Sequence, residues 1–165
     1  MSRKIVTIYT DGGCLGNPGP GGYGGILVYK NNRKELSGGY RKTTNNRMEL
    51  MACIEGLKAL KYACKVTVYS DSRYVVDGIS KGWAKRWKKN GWMRNRKESA
   101  VNIDLWDILL SLCKIHEIEF KWVKGHAGHV ENERCDALAK KMSTSKNLPT
   151  DTVYENGMHI KGTNP

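Results

Sequence analysis

Two short runs of β-branched and aromatic residues each end at an aspartate. The run over residues 5–10 meets Asp11, and the run over 66–70 meets Asp71. Such residues favour strands, and parallel strands that are neighbours place their carboxyl ends at one edge of a sheet, where α/β proteins bind ligands. Two carboxylates side by side repel each other, so this edge requires a cation or a shared proton. The pattern therefore predicts a sheet with an acidic edge.

The order of the other patterns predicts one mixed α/β domain. After the first strand comes a glycine-rich segment over 11–25, interpreted as a loop, and then two strand-like runs that complete an antiparallel meander. Helical spacing then alternates with short strands, with helices expected over 44–60, 72–79, 101–115 and 131–142. We expect a single mixed five-stranded sheet, an antiparallel meander plus parallel strands, with helices on both faces.

The predicted domain covers residues 1–143, and a polar C-terminal tail covers 144–165. Within the tail, Asn156-Gly157 is a dipeptide that can turn a small hairpin. A loosely held tail is the alternative, because chain ends are often poorly ordered.

The charge of the chain indicates a polyanionic partner. Its 28 Lys and Arg residues exceed 16 Asp and Glu, which gives a formal net charge of +12. A basic segment at about 81–97 has no acid before Glu98, which favours a nucleic-acid surface over a merely solvated face. Its candidate contact residues are Trp83, Lys85, Arg86, Lys88 and Lys89. Because Trp83 and Trp87 are four positions apart, packing of these rings on the domain is the alternative.

Composition also excludes two classes of protein. No apolar run approaches the roughly 20 residues that cross a bilayer, so we expect no membrane partner and a cytoplasmic location. The five cysteines are scattered and form no C-x-x-C pair. A disulfide framework or a zinc site is therefore not expected.

Two further carboxylates, Glu49 and Asp136, lie in the early turns of predicted helices. Either one alone could be a solvated acid that the helix dipole favours. Together with Asp11 and Asp71, however, they would form an all-oxygen site, which suits Mg²⁺ or Mn²⁺ better than zinc. Two divalent ions about 4 Å apart can activate a water and stabilise the leaving oxygen in phosphodiester cleavage.

Four segments carry a resemblance to a known family. They read Thr10-Asp-Gly-Gly-Cys-Leu-Gly-Asn-Pro-Gly19, Thr43-Thr-Asn-Asn-Arg-Met-Glu-Leu-Met51, Tyr69-Ser-Asp-Ser72, and Trp122-Val-Lys-Gly-His-Ala-Gly-His129 with Glu131-Asn-Glu-Arg-Cys-Asp136. In order and spacing, the chain from about Lys4 to Met142 closely resembles ribonuclease H of the bacterial type 1 class.

The resemblance implies a ribonuclease H-like fold and an endonuclease that hydrolyses the RNA strand of RNA–DNA hybrids. It implies a two-metal-ion mechanism that leaves 5′-phosphate and 3′-hydroxyl ends, with Mg²⁺ as cofactor and Mn²⁺ as a possible substitute. The partner would be the hybrid duplex, bound by a monomer that needs no obligate protein partner.

Roles for particular residues also follow from the resemblance. The metal-binding carboxylates would be Asp11, Glu49, Asp71 and Asp136, and His126 would assist proton transfer or the departure of product and metal. Contacts to the minor groove and RNA sugars would come from Gly16, Asn17, Asn45 and Asn46, with the backbone near Cys14. A phosphate pocket for the DNA strand would use Thr44, Arg47 and Asn17. Helix capping is an alternative role for Asn45 and Asn46.

Two positions depart from the family pattern. Arg73 stands where many relatives carry glutamine, and its guanidinium could strengthen a phosphate contact but blur a minor-groove hydrogen bond. Val130 stands where relatives often place proline. Because proline fixes φ in a first helical turn, we predict a looser loop around His126.

Two other functions stay open: a non-catalytic hybrid-binding module, and a nuclease or recombinase of similar fold that cuts DNA duplexes.

Overall fold

A computed structural model of the chain describes residues 2–125 and 128–160. The strands of this part of the chain are β1 (Lys4–Cys14), β2 (Gly19–Tyr29), β3 (Asn32–Thr43), β4 (Cys64–Ser70) and β5 (Glu117–Trp122). Its helices are α1 (Asn45–Lys58), α2 (Arg73–Ser80), α3 (Trp83–Lys89), α4 (Ile103–Ile115), α5 (Val130–Ser143) and α6 (Thr152–Glu155). The strands form one mixed sheet in the order β3-β2-β1-β4-β5, as predicted.

The strand that contains Asp11, β1, and the strand that Asp71 follows, β4, are parallel neighbours. β1 pairs with β4 in a register that sets Tyr9 opposite Tyr69, and the Thr10 hydroxyl donates a hydrogen bond of 2.8 Å to the Tyr69 carbonyl. Two residues further along, Asp11 and Asp71 therefore lie at the same edge. This confirms the expected acidic edge of the sheet.

The glycine-rich segment over 11–25 is mostly strand, so the predicted loop is wrong. β1 continues to Cys14 and β2 begins at Gly19, with Asp11 paired opposite Gly24. The glycines there serve packing: a Cβ on Gly24 would lie 2.6 Å from the Cys135 carbonyl oxygen of α5, and one on Gly22 would also overlap α5. Because glycine has no side chain, α5 lies directly on this face of the sheet.

Helix α1 packs on the opposite face, so both faces carry helices as predicted. The helix begins where the sequence predicts, because the Thr44 side chain accepts a hydrogen bond from the Arg47 N–H and caps it. The core lies between α1, α2, α4 and this face of the sheet, with Ile8, Leu50 and Trp106 fully buried. This arrangement holds the α1 N-terminus beside the end of β1.

Residues 144–160, which follow α5, pack on the domain, so over this range the expected hairpin and the loosely held tail are both wrong. Asp151 is only 6% exposed and accepts hydrogen bonds from the Thr43 hydroxyl at 2.7 Å and from Arg47 Nε at 2.8 Å. The short helix α6 follows, and the Ile103 N–H donates to the His159 carbonyl. The polar composition of this segment serves buried ion pairing, which a pattern of apolar residues cannot reveal.

Other features agree with the composition. The five cysteines are free thiols. Across residues 2–125 and 128–160, no helix has the length and apolar character to cross a bilayer.

We predict that Asp151→Asn lowers the free energy of unfolding by about 3 kcal/mol, because it leaves the buried Arg47 guanidinium with fewer anionic partners. For a domain of this size the thermal midpoint should fall by roughly 6–12 °C. Glu155→Gln is the matched control, because it removes the Arg41–Glu155 surface ion pair from the same segment and should lower the midpoint far less, since surface ion pairs contribute little to stability. Equal midpoints for the two variants would show that Asp151 does not anchor the segment.

Candidate active site

Three carboxylates converge at the acidic edge of the sheet. Asp11 lies in β1, Asp71 directly follows β4, and Glu49 projects from α1; one oxygen from each lies within 4.8 Å of the other two. Gly12 makes the convergence possible, because a Cβ at that position would lie 2.6 Å from the Glu49 backbone nitrogen. The close approach of α1 to β1 thus brings Glu49 to the two strand aspartates.

Burial and the charges of neighbouring acids make two of these carboxyl groups, Asp11 and Glu49, hard to ionise. Desolvation and the neighbouring Asp71 charge raise the pKa of Asp11 to about 7. Complete burial, together with Asp11 and Asp71, raises the pKa of Glu49 well above its ordinary value. Among the described residues, the buried Glu49 Oε2 has no hydrogen-bond partner. An unpaired buried carboxylate oxygen among three acids fits a divalent cation with oxygen ligands.

Asp136 lines the same cavity as Asp11 and Asp71 but lies outside the group of three. Its Oδ2 lies 2.9 Å from Lys140 Nζ, and the two side chains form an ion pair one turn apart on α5. The structure therefore brings the fourth predicted carboxylate to the site, where a lysine neutralises it.

Asn132 is a site residue that the sequence reasoning missed. It lines the cavity with Asp11, Asp71 and Asp136, and among the described residues its buried Oδ1 has no hydrogen-bond partner. A signal was present, because Asn132 precedes Asp136 by four positions and so shares its helix face. Buried amide oxygens normally find a partner, so Asn132 is a candidate to bind a group that enters the cavity.

His126 lies outside the described residues, so its predicted role stays a prediction. The preceding Gly125 lies against the site, since a Cβ there would be 2.8 Å from Asp71 Oδ2. Val130 is the first residue of α5 and is 77% exposed. The predicted looseness of the loop ahead of it concerns residues 126–127, which also lie outside the described residues.

The predicted substrate amides form a network beside the acidic edge. The Cys14 N–H donates to Asn45 Oδ1 at 2.7 Å, and the Asn45 N–H donates to Asn17 Oδ1 at 3.1 Å. Gly16 between them has a φ of 74°, a left-handed conformation that favours glycine. Thr44 caps α1 and Asn46 is exposed at its first turn. The network ties the β1–β2 loop to α1 and presents polar groups next to Asp11.

Arg47 cannot serve as the predicted phosphate ligand. Its side chain is 2% exposed, and its guanidinium donates to Asp104 at 2.8 and 2.9 Å and to Asp151 at 2.8 and 3.0 Å. A buried guanidinium requires such anionic partners, and they consume the donors that a phosphate would need. The sequence did not reveal this, because both aspartates are distant in the chain.

Helix α3 carries four of the eight basic residues of the 81–97 segment. The Trp87 ring packs edge-on against Trp106 with centroids 5.8 Å apart, which confirms a packing role for Trp87. The Lys81 ammonium lies 5.3 Å from the centroid of the Trp83 ring. Lys88 pairs with Asp107 at 2.7 Å. Lys85, Arg86 and Lys89 form no ion pair within the described part of the chain.

Comparison with known proteins places most of the chain in one family. The RNase H family model matches residues 3–144. The chain belongs to the RNase H family. It is 66% identical over 155 residues to ribonuclease H of Rippkaea orientalis, covering 94% of this chain and 95% of that protein. It is 63% identical over 148 residues to ribonuclease H of Desulforamulus reducens, covering 90% and 93% of the two chains.

A solved structure of an RNase H relative shares the fold. LC9-RNase H1, a type 1 RNase H with the type 2 active-site motif, superposes with a TM-score of 0.77 at 35% identity and covers 87% of this chain and 74% of its own. The resemblance to the bacterial type 1 class is thereby confirmed. RNase H proteins are nucleases that depend on divalent metals, which agrees with the carboxylate cluster of this family member.

We predict that Asp11→Asn stabilises the protein in metal-free buffer, because it removes one of the repelling charges. Since the folded-state pKa of Asp11 is raised to about 7 from about 3.9 when unfolded, its stabilising contribution is present below about pH 4 and is lost as the pH rises toward 7. The wild-type thermal midpoint in EDTA should therefore fall between pH 4 and 7, and Asp11→Asn should flatten this decline.

Asp104→Asn is the control for charge removal, because it breaks an attractive pair with Arg47 and should lower the midpoint. An Asp11→Asn variant that melts below the wild type at pH 7 in EDTA would contradict the repulsion argument.

Proposed function

We propose that this chain is an endonuclease that hydrolyses the RNA strand of RNA–DNA hybrids. The observation that carries the proposal is the convergence of Asp11, Glu49 and Asp71 within 4.8 Å at the strand edge, with one Glu49 oxygen unpaired among the described residues. Membership of the RNase H family supplies the class of substrate. The sequence prediction of a monomer in the cytoplasm stays a prediction.

In this proposal, Asp11, Glu49, Asp71 and Asp136 hold divalent cations, Mg²⁺ with Mn²⁺ as a substitute. When bound, two such ions activate a water and stabilise the leaving oxygen, which yields 5′-phosphate and 3′-hydroxyl ends. Asp136 would join this set by exchanging its contact with Lys140, which is an exposed lysine. The raised pKa values of Asp11 and Glu49 mean that these two groups give up protons when the cations bind.

Recognition of the hybrid uses the amide network. An RNA strand differs from DNA by its 2′-hydroxyls, which donate and accept hydrogen bonds. Asn17, Asn45 and Asn46, with Gly16 and the backbone at Cys14, present short polar groups beside Asp11 for this purpose. In this proposal Thr44 and Asn17 contact the DNA strand, without Arg47. In the same proposal His126 assists proton transfer or product departure.

Incubation of labelled RNA–DNA, RNA–RNA and DNA–DNA duplexes with Mg²⁺ or with EDTA tests the proposal. We expect cleavage of the RNA strand of the hybrid alone, loss of cleavage in EDTA, and loss of cleavage in Asp11→Asn with Mg²⁺. Binding without cleavage in Mg²⁺ and Mn²⁺ would instead indicate a non-catalytic hybrid-binding module. Cleavage of the DNA duplex would indicate a nuclease of another specificity.

We predict that Lys85, Arg86 and Lys89 contact phosphates, because they are basic, adjacent on α3 and without ion pairs among the described residues. The triple change to glutamine should weaken hybrid binding and reduce the slope of log K against log salt by about 2.7, since each of the three phosphate contacts contributes about 0.9. Lys88→Gln should change the slope less, because Asp107 already neutralises Lys88.

The matched control is the triple change of Lys61, Lys65 and Lys114 to glutamine. These lysines are exposed at the opposite end of the parallel strands or on the end of α4. Equal salt slopes for the two triple variants would exclude α3 from the interface.

A further inference from the structure

Arg73 and Trp122 form a stacked pair next to the acidic edge. The Arg73 guanidinium carbon lies 3.8 Å from the centroid of the Trp122 ring. Arg73 is the first residue of α2 and follows Asp71 by two positions, while Trp122 is the last residue of β5. Because two peptide units span at most about 7 Å, the Arg73 side chain begins close to one of the site carboxylates.

Backbone carbonyls at the end of β4 hold Trp122 and its neighbour in place. The Trp122 indole N–H donates a hydrogen bond of 3.0 Å to the Asp71 carbonyl, and the neighbouring Val123 N–H donates to the Ser70 carbonyl at 2.9 Å. These bonds fasten the end of β5 to the end of β4. Trp122 is nonetheless 38% exposed. The hydrogen bonds therefore fix the indole in place, while the pair stays open to solvent.

The arginine of the pair keeps its donors available. Arg33, Arg41, Arg47, Arg94 and Arg134 each pair with a carboxylate. The Arg73 side chain, by contrast, forms no hydrogen bond or ion pair with the described residues, although Asp71 lies two positions before it in the chain. Stacking uses the face of the guanidinium and leaves its edge, with the N–H donors, free for a planar anion such as a phosphate.

We propose that Arg73 binds a phosphate of the RNA strand adjacent to the scissile one, and that Trp122 is the residue that positions it. This inference rests on the proposed function, since a scissile phosphate at Asp11 and Asp71 places its neighbour one nucleotide away. A guanidinium already stacked in one orientation loses less conformational freedom on binding than a free side chain does. A glutamine at this position has no charge and could not make the same contact.

The test is hybrid binding in EDTA at several salt concentrations, with Arg73→Gln, Arg73→Lys, Trp122→Leu and Trp122→Phe. Arg73→Gln should raise Kd about tenfold and reduce the salt slope by about 0.9. Arg73→Lys should keep the slope, because it keeps the charge, yet bind more weakly than wild type. Lys61→Gln, which removes one exposed charge at the opposite end of the parallel strands, is the control and should leave the slope unchanged.

A double-mutant cycle tests the role of Trp122. If the ring acts through Arg73, Trp122→Leu should weaken binding in the Arg73 protein but not in the Arg73→Gln background. Trp122→Phe should rescue most of the loss, because it keeps an aromatic face. Thermal midpoints identify any variant that fails to fold, and the Arg73→Gln and Arg73→Lys comparison then carries the test without Trp122→Leu.

An unchanged slope in Arg73→Gln, or fully additive effects of Arg73→Gln and Trp122→Leu, would overturn the inference. So would a change in base-sequence preference without a change in slope, which would mean a groove contact in place of a phosphate contact. If the wild-type protein cleaves hybrids, such results for the variants would leave the proposed function intact. A wild-type protein that neither binds nor cleaves hybrids would overturn both.

Discussion

Repulsion among three clustered carboxyl groups, of which Glu49 is buried and Asp11 and Asp71 are half-buried, is the constraint on which the rest of this structure depends. Asp11, Glu49 and Asp71 lie within 4.8 Å of one another, an arrangement that destabilises the metal-free fold at neutral pH. The parallel pairing of β1 with β4 holds the two aspartates together, and the absence of a side chain at Gly12 lets Glu49 join them. The site is thus a cluster of repelling acids whose repulsion a divalent cation would relieve.

Opposite charges stabilise the element that carries Glu49. The first turn of α1 holds Arg47 two residues before Glu49, and Arg47 is fixed by Asp104 of α4 and by Asp151 of the C-terminal segment. This buried ion cluster connects three distant parts of the chain at the base of α1. The helix can therefore keep a repelled carboxylate in place, because its N-terminal turn is anchored on the side away from the acidic edge.

Residue type and spacing predict those elements whose formation depends on neighbours in the sequence. The strand runs before Asp11 and Asp71 and the cap at Thr44 were readable from residue type and spacing. The glycine-rich segment was misread because its glycines serve contact with α5, a helix more than a hundred residues away. Arg47, Asp151 and the Arg73–Trp122 pair were equally inaccessible, because each depends on partners brought near only by the folded sheet. Asn132 could have been found from its four-residue spacing to Asp136.

The most direct test of the carboxylate cluster as a metal site is calorimetric titration with Mn²⁺ at pH 6, repeated in buffers of different ionisation enthalpy. Because the pKa of Asp11 is raised to about 7 and that of Glu49 is raised well above its ordinary value, binding should release protons. Asp11→Asn should weaken binding and reduce this release. Binding without proton release, or binding of equal strength in Asp11→Asn, would contradict the account.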